Sequence, residues 1–512
     1  MRVLLVFPRY PESFWSFKHV LKFIGVKAAN PPLGLLTVAA MLPGAWEKRV
    51  VDLNVRQLRD SDLTWADLVF ISAMVIQRNS VQEVVARCKA VGRTMVAGGP
   101  LFAMEPEKFD CIDHLVLNEA EITLPEFLAD MESGTARHIY ESGRHPSMDT
   151  TPIPAWDLIN MDDYGAMSTQ YSRGCPYDCE FCNITSLYGR QIRTKTVSQL
   201  LGEFNALYTR GWRGSLFIVD DNFIGNKVKL KKEVLPAIIQ WNKEHKHPFD
   251  FTTEASVNLA DDEELLELMA EARFTRVFIG IETPSEESLK ECNKFNNINR
   301  DLLASVKKVQ NFGIAVSAGF IVGFDHDTPS IFDRQINFIQ QSGIVTAMVG
   351  LLNAPRGTKL FERLEKEDRI VQEVSGNNTD FSLNFVPVMN PQKLIDGYRK
   401  IVTTIYAPAQ YYERIQEFLK EFRPIRRLNL SRFRFRYIKT LFLVIWYLGI
   451  LEKGRRHYWR LILKTLFQHP GFLPEALTLA VYGFHFRRIF DIYGAPGNEL
   501  RSPEHALTSA EK

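Results

Sequence analysis

Ser172-Arg173-Gly174-Cys175-Pro176-Tyr177-Asp178-Cys179-Glu180-Phe181-Cys182 brings three cysteines into eight positions, directly after a stretch that reads as a β-strand. The spacing C-x3-C-x2-C lets one loop wrap three thiolates around a face of an iron–sulfur cubane, leaving the fourth iron without a protein ligand. A small molecule with an amine and a carboxylate can chelate that iron. Zinc is the alternative, but a structural zinc site takes four ligands. The nearest histidines, His138 and His145, stand across a proline-containing linker. Cys88, Cys111 and Cys292 are scattered and read as small apolar core residues. Six cysteines in 512 residues exclude a disulfide scaffold and point to a reducing cytoplasm.

Around this stretch, strands are expected at Ser168–Tyr171, Leu216–Val219, Phe249–Glu254, Val277–Ile281, Ala315–Ile321 and Thr346–Leu351, with helical patterns between them. Six such units over residues 165–369 predict a partial (β/α)6 barrel; a full eightfold barrel takes about 250 residues. Polar residues recur at the carboxyl ends of these strands. Asp220, Asp221 and Asn222 follow the second, Glu254 and Ser256 the third, and Glu282 the fourth. Ile321 lies in Gly319-Phe320-Ile321-Val322-Gly323-Phe324, whose glycines permit close backbone approach to a ring. Barrel ligands bind at such ends, although carboxylates there also cap the next helix.

On the amino-terminal side, residues 1–140 alternate strands (Val3–Phe7, Arg49–Leu53, Leu68–Ser72, Thr94–Ala97, His114–Leu117) with helices such as Val81–Val91. This alternation predicts an α/β fold with a doubly wound parallel sheet. Residues 141–164, with Pro152 and Pro154, read as a linker. Met1–Pro8 lacks the length and cleavage site of a signal peptide and reads as the first strand. With 46% hydrophobic and 24% charged residues the chain can bury large cores, and a formal net charge of +2 gives no global field for nucleic acid.

The cysteine stretch, with aromatic Phe181 before the third cysteine, resembles the signature of the radical S-adenosylmethionine superfamily. The resemblance implies a [4Fe–4S] cluster on Cys175, Cys179 and Cys182, with S-adenosylmethionine chelating the open iron. Reductive cleavage would then give a 5′-deoxyadenosyl radical that abstracts hydrogen from an unactivated carbon. It also implies contacts to the cofactor from Phe181 and from the strand-end residues named above, and an electron donor such as flavodoxin or ferredoxin.

The first domain lacks G-x-G-x-x-G, which argues against a dinucleotide site. Ser72-Ala73-Met74 and Ala97-Gly98-Gly99-Pro100 resemble the later motifs of cobalamin-binding domains, where Ser72, Gly98 and Gly99 would admit the nucleotide tail. The D-x-H-x-x-G element is broken: Asn54 of Asp52-Leu53-Asn54-Val55-Arg56-Gln57 stands where a cobalt-ligating His would be. Asparagine is no substitute for imidazole, so a cobalamin held here would have a free lower face. Pro31-Pro32-Leu33-Gly34, including Pro32 and Gly34, adds to the likeness. Taken together the chain resembles the cobalamin-dependent (class B) radical S-adenosylmethionine methyltransferases, and within them the hopanoid C-methylases and uncharacterised relatives.

Residues 370–512 read as a helical region rich in basic and aromatic residues. Arg423, Arg426, Arg427, Arg432, Arg434 and Arg436 precede the apolar run Leu441–Leu451, with Trp446, Tyr447, Tyr458 and Trp459 interleaved. The run is short of the roughly 20 residues that span a bilayer. Two readings stay open: a helix lying in an anionic lipid interface, or a helical cap on the barrel. The function expected is methylation of an unactivated carbon on a lipid-like substrate, using two molecules of S-adenosylmethionine per turnover. The alternatives are radical chemistry without methyl transfer and a non-catalytic iron–sulfur or cobalamin carrier.

Overall fold

The computed structural model describes residues 1–423 and 435–493. Arg426, Arg427, Arg432, Arg434 and the last residues, 494–512, lie outside the described residues. Fourteen strands occur in these. The first six are β1 (Arg2–Phe7), β2 (Glu47–Asp52), β3 (Leu68–Ser72), β4 (Thr94–Gly98), β5 (His114–Val116) and β6 (Ile139–Tyr140). They form one parallel sheet in the order β2-β1-β3-β4-β5-β6. β1 alternates between two cores: Leu4 and Val6 face Val81, Val84 and Leu101, while Val3 and Leu5 face Leu35, Ala39 and Phe127. Burial of both faces is what a doubly wound sheet requires. The sixth strand was not expected from the sequence, because two residues are too few to show a period.

β7 (Met167–Thr169), β8 (Ser172–Arg173), β9 (Arg193–Thr194), β10 (Gly214–Ile218), β11 (Phe249–Ala255), β12 (Phe274–Glu282), β13 (Ala315–Val322) and β14 (Ala347–Leu351) follow. β14-β13-β12-β11-β10-β7 is a second all-parallel sheet, the predicted six-stranded partial barrel. β8 and β9 form a separate antiparallel pair bracketing the cysteine loop. Alternation in β11 buries Phe249, Phe251, Thr253 and Ala255 and turns Asp250, Thr252 and Glu254 to the opposite face. Phe251 meets Phe204 of the helix Val197–Thr209 at 5.3 Å between ring centroids. The face carrying Glu254 is therefore the one away from that helix. Helices start where the sequence supplies caps: Thr196 accepts from the Gln199 amide, Asp262 from Leu265 and Asp301 from Ala304.

The carboxyl-terminal region packs as a bundle: Pro391–Tyr406, Pro408–Glu421, Phe435–Val444 continuing through Ile445–Leu451, Arg455–Gln468 and Leu473–Tyr493. It shares one continuous core with the barrel. Tyr398 and Tyr406 donate hydroxyl hydrogen bonds to Val349 and Ala347 on β14, and Arg276 of β12 pairs with Glu475 at 3.1 Å. The helix Lys18–Ile24 and the turn Phe14–Ser16, an excursion after β1 absent from the sequence reading, wedge between these parts. Phe14 stacks on Phe486 at 4.1 Å, and Trp15 meets Phe278 of β12 edge-on. No helix among the described residues is long and apolar enough to cross a membrane.

Candidate active site

The cysteine loop is held by its neighbours before any cofactor is considered. Asp220, beyond β10, accepts from the amides of Tyr171 (2.7 Å) and Ser172 (2.8 Å) and from the Ser172 hydroxyl (2.6 Å). Burial pushes its carboxyl up to about 6 against these donors. Asp220 is thus spent on fixing the strand that enters the loop, and its three bonds leave it little to offer a ligand. Gly174 sits at φ +92°, and a Cβ there would lie 2.6 Å from the Gln191 carbonyl oxygen. Cys179 is buried and Cys175 and Cys182 are half-buried. Burial raises all three thiols, Cys182 to about 12, and each also feels another thiol of the set or a nearby charge.

The three thiols suit a cubane by the chemistry of their donors, all sulfur and all on one loop. Among the described residues no three His, Cys, Asp or Glu side chains converge on a point as a single metal ion would need. A cubane spreads its irons over corners and makes no such demand. Phe181 packs with Phe324, Ile321, Leu360 and Cys292 in a small apolar cluster, its ring 6.4 Å from that of Phe324. Its contacts within the chain anchor the loop. Ile321 belongs to the same cluster, its carbonyl accepting from Gln335 at 2.7 Å.

The strand ends beside the loop form an acidic rim. Asp221 and Glu254 have no hydrogen-bond partner on another residue among the described residues, and Asp221 Oδ2 is fully buried. Burial, and then Asp220, pushes Asp221 up to about 7. Burial, and then Asp221 and Asp220, pushes Glu254 up to about 8. Two buried carboxyls with no hydrogen-bonded cation among the described residues are a place for a positively charged ligand. Asn222 accepts from the Ser256 amide at 3.1 Å; Ser256 donates to Asn258 at 2.7 Å, and Asn258 to the Tyr177 hydroxyl at 2.9 Å. This chain ties two strand ends to the cysteine loop.

Glu282 ends β12 at φ +64°, beside a register shift, and accepts from Lys294 Nζ at 2.9 Å. Both side chains are nearly buried. Burial alone would lower the Lys294 ammonium, but Glu282 and the cysteine thiols together raise it. Lys294 was not singled out in the sequence: it lies in a loop with no period or motif.

In the first domain Asn54 turns inward. Its amide donates to Asp52 and to the Pro8 carbonyl, and its oxygen accepts from the Tyr10 amide at 2.9 Å. The side chain ties its own loop to the one that follows β1. A Cβ on Gly98 would stand 2.5 Å from the Val116 carbonyl oxygen, so this glycine serves strand packing. Gly99, at φ +97°, lets Ser72 Oγ and the Ala73 carbonyl approach to about 3 Å of where its Cβ would be. Pro32 is buried ahead of the helix Leu33–Met41, and Gly34 is exposed with nothing near its Cβ position. The carboxyl ends of β3 and β4 carry the small residues Ser72, Ala73, Gly98 and Gly99, with exposed Met74 following, and Ser72 Oγ has no hydrogen-bond partner among the described residues. A run of small residues at the sheet end, with a free hydroxyl, suits the approach of a bulky macrocycle.

The two sites are joined by ions. Arg173, immediately before Gly174, pairs with Glu119 (2.7 Å) and Glu121 (2.8 Å) beyond β5, and Arg193 also pairs with Glu119 (2.8 Å). Tyr164 donates to Asp52 at 3.1 Å. Breaking one partner of so buried a network leaves a charge uncompensated.

Comparison with known proteins agrees with this geometry. Residues 169–339 match the radical SAM superfamily, residues 23–128 the B12 binding domain, and residues 358–495 a domain of unknown function, DUF4070. An uncharacterized methyltransferase of Synechocystis sp. is 41% identical over 98% of this chain and 94% of its own length. The hopanoid C-2 methylase of Rhodopseudomonas palustris is 34% identical over 94% of this chain and 92% of its own. A solved structure of the cobalamin-dependent S-adenosylmethionine radical enzyme OxsB, with aqua-cobalamin and S-adenosylmethionine bound, aligns with 99% of this chain and 82% of its own at TM-score 0.59 and 14% identity, a likeness of fold. The chain belongs to the cobalamin-dependent radical S-adenosylmethionine methyltransferases, enzymes whose cofactors are a [4Fe–4S] cluster, S-adenosylmethionine and cobalamin.

Proposed function

We propose that this chain methylates an unactivated carbon of a lipid-like molecule. Residues 1–140 hold cobalamin, 165–369 hold the cluster and S-adenosylmethionine, 141–164 link them, and within 370–512 the described helices cap the barrel and meet a lipid surface. The observation that carries the reading is the buried Arg173–Glu119–Glu121 joint, which sets the cysteine loop against the strand ends of the first domain. When bound, the cofactors supply hydrogen abstraction and methyl transfer; the chain supplies position and exclusion of water. Cys175, Cys179 and Cys182 ligate iron. Asp221 and Glu254 face the cationic part of S-adenosylmethionine, with Asn222, Ser256 and Ile321 shaping the wall, and Asp220, Phe181 and Glu282 supporting it. Ser72, with Gly98 and Gly99 beside it, receives cobalamin near Pro32, Gly34 and Asn54.

The lipid class is supported by the 34% identity to a hopanoid methylase and by an exposed apolar face on the carboxyl-terminal helices. Phe442 and Phe467 are 69% and 81% exposed there, on helices that also carry Lys439, Arg455 and Arg456. A low-potential donor such as flavodoxin or ferredoxin reduces the cluster. The test is anaerobic reconstitution with iron, sulfide and cobalamin, followed by mass analysis of candidate lipids. A gain of one methyl group is expected, and the triple variant Cys175→Ala, Cys179→Ala, Cys182→Ala should make no 5′-deoxyadenosine. 5′-Deoxyadenosine formed by that variant refutes the ligation; radical turnover of the lipid with no methylated product refutes methyl transfer.

A further inference from the structure

We propose that Lys294 is a fixed cation that raises the reduction potential of the iron–sulfur cluster, and that Glu282 holds it in place and moderates its charge. The proposal rests on the ligation by Cys175, Cys179 and Cys182 put forward above. Glu180, between the second and third cysteines, donates its amide to the Cys292 carbonyl at 3.0 Å. That bond pins the segment carrying Lys294 against the cysteine loop. Lys294 and Glu282, 2.9 Å apart and nearly buried, are part of the structure held beside that loop.

The local backbone is shaped around this pair. Glu282 adopts a left-handed conformation that L-residues disfavour, at the register shift of β12. Gly280 is the residue whose absent side chain leaves room: a Cβ there would lie 2.2 Å from Glu282 Oε1 and 2.9 Å from Lys294 Nζ. A buried ion pair is weak evidence for stability, since desolvation offsets most of the attraction and apolar residues of equal volume do as well. Strain and a dedicated glycine spent on such a pair therefore point to its charge. Reduction adds one electron to the cluster, and a cation held in a low-dielectric site stabilises the reduced form over the oxidised one.

The test is an EPR-monitored redox titration of the full-length, reconstituted protein without S-adenosylmethionine, after iron and sulfide analysis. Lys294→Met should lower the midpoint, shifting the reduction equilibrium by about tenfold, which is about 59 mV for one electron. Lys294→Arg should restore it. Glu282→Gln, which keeps an acceptor but removes the opposing charge, should move it upward. Opposite shifts are not expected of residues that only support the fold. Equal midpoints in the Met variant and the wild type overturn the proposal, as do shifts of one sign in the Met and Gln variants, or loss of the cluster in the Met variant. A wild-type protein that takes up no cluster fails earlier, at iron analysis, and refutes the ligation itself.

Discussion

Asp221 and Glu254 show how a single residue's surroundings decide its chemistry. Neither has a hydrogen-bond partner on another residue among the described residues, so burial, and then Asp220 acting on Asp221 and both aspartates acting on Glu254, favour the neutral forms, with carboxyls raised to about 7 and about 8. A carboxyl raised in the folded state contributes stability that is fully present below its unfolded value and is lost as pH rises through its folded value. Cofactor-free protein should therefore melt at progressively lower temperature from about pH 4 to about pH 8. Asp221→Asn and Glu254→Gln should flatten that slope. Melting curves across this range check it; variants whose profiles run parallel to the wild type would show that these groups do not titrate there. Asp220, one position away, differs because three donors already hold it.

Among the elements, strand β4 and the helix Leu33–Met41 give a contrast between glycines that look alike in the sequence. Gly98→Ala would place a methyl group 2.5 Å from the Val116 carbonyl oxygen, and the strands would have to part. Overpacking of this kind costs about 1–3 kcal/mol. Gly34→Ala meets nothing within 4 Å and lies in the first turn of the helix Leu33–Met41. Removing a helical glycine gains about 0.5–1 kcal/mol. Urea unfolding should therefore move in opposite directions for the two variants. If Gly98→Ala left the midpoint unchanged, the close approach of β4 to β5 would be wrong.

For the whole molecule, the carboxyl-terminal helices are both a cap and an open face. Tyr411 donates to the Leu479 carbonyl at 2.6 Å, and buried Arg414 donates to the Ile405 carbonyl at 2.8 Å and lies over the Tyr411 ring at 5.2 Å. Cutting the chain near residue 410 would strip the barrel of this core, so a truncation does not isolate the outer face. Substitutions do. Phe442→Ser, Trp446→Ser and Phe467→Ser combined should leave folding intact, since all three side chains are exposed. The unaltered protein should sediment with anionic vesicles and be released by salt, with attraction of about 1 kcal/mol per basic residue near the surface. The triple variant should lose that binding. Indifference of the unaltered protein to vesicles would remove the lipid-surface reading and leave the cap.

By itself the sequence determined the chemistry that resides in consecutive residues and the architecture that resides in periodicity. Cys175, Cys179 and Cys182 declare their purpose in eight positions, and regular strand–helix alternation declares two parallel sheets. The polar strand ends were legible for the same reason, each closing an apolar run. What tertiary structure alone decided is pairing across long separations. Arg173 joins Glu119 and Glu121 across 54 and 52 residues, and Arg276 joins Glu475 across 199. Lys294 gained its meaning from Glu282 and a cysteine loop more than 100 residues earlier, and Asn54 found its partners in Tyr10, Pro8 and Asp52. A charge or an amide in a sequence carries no record of which partner will satisfy it, because burial, which makes that partner obligatory, exists only once the chain has folded.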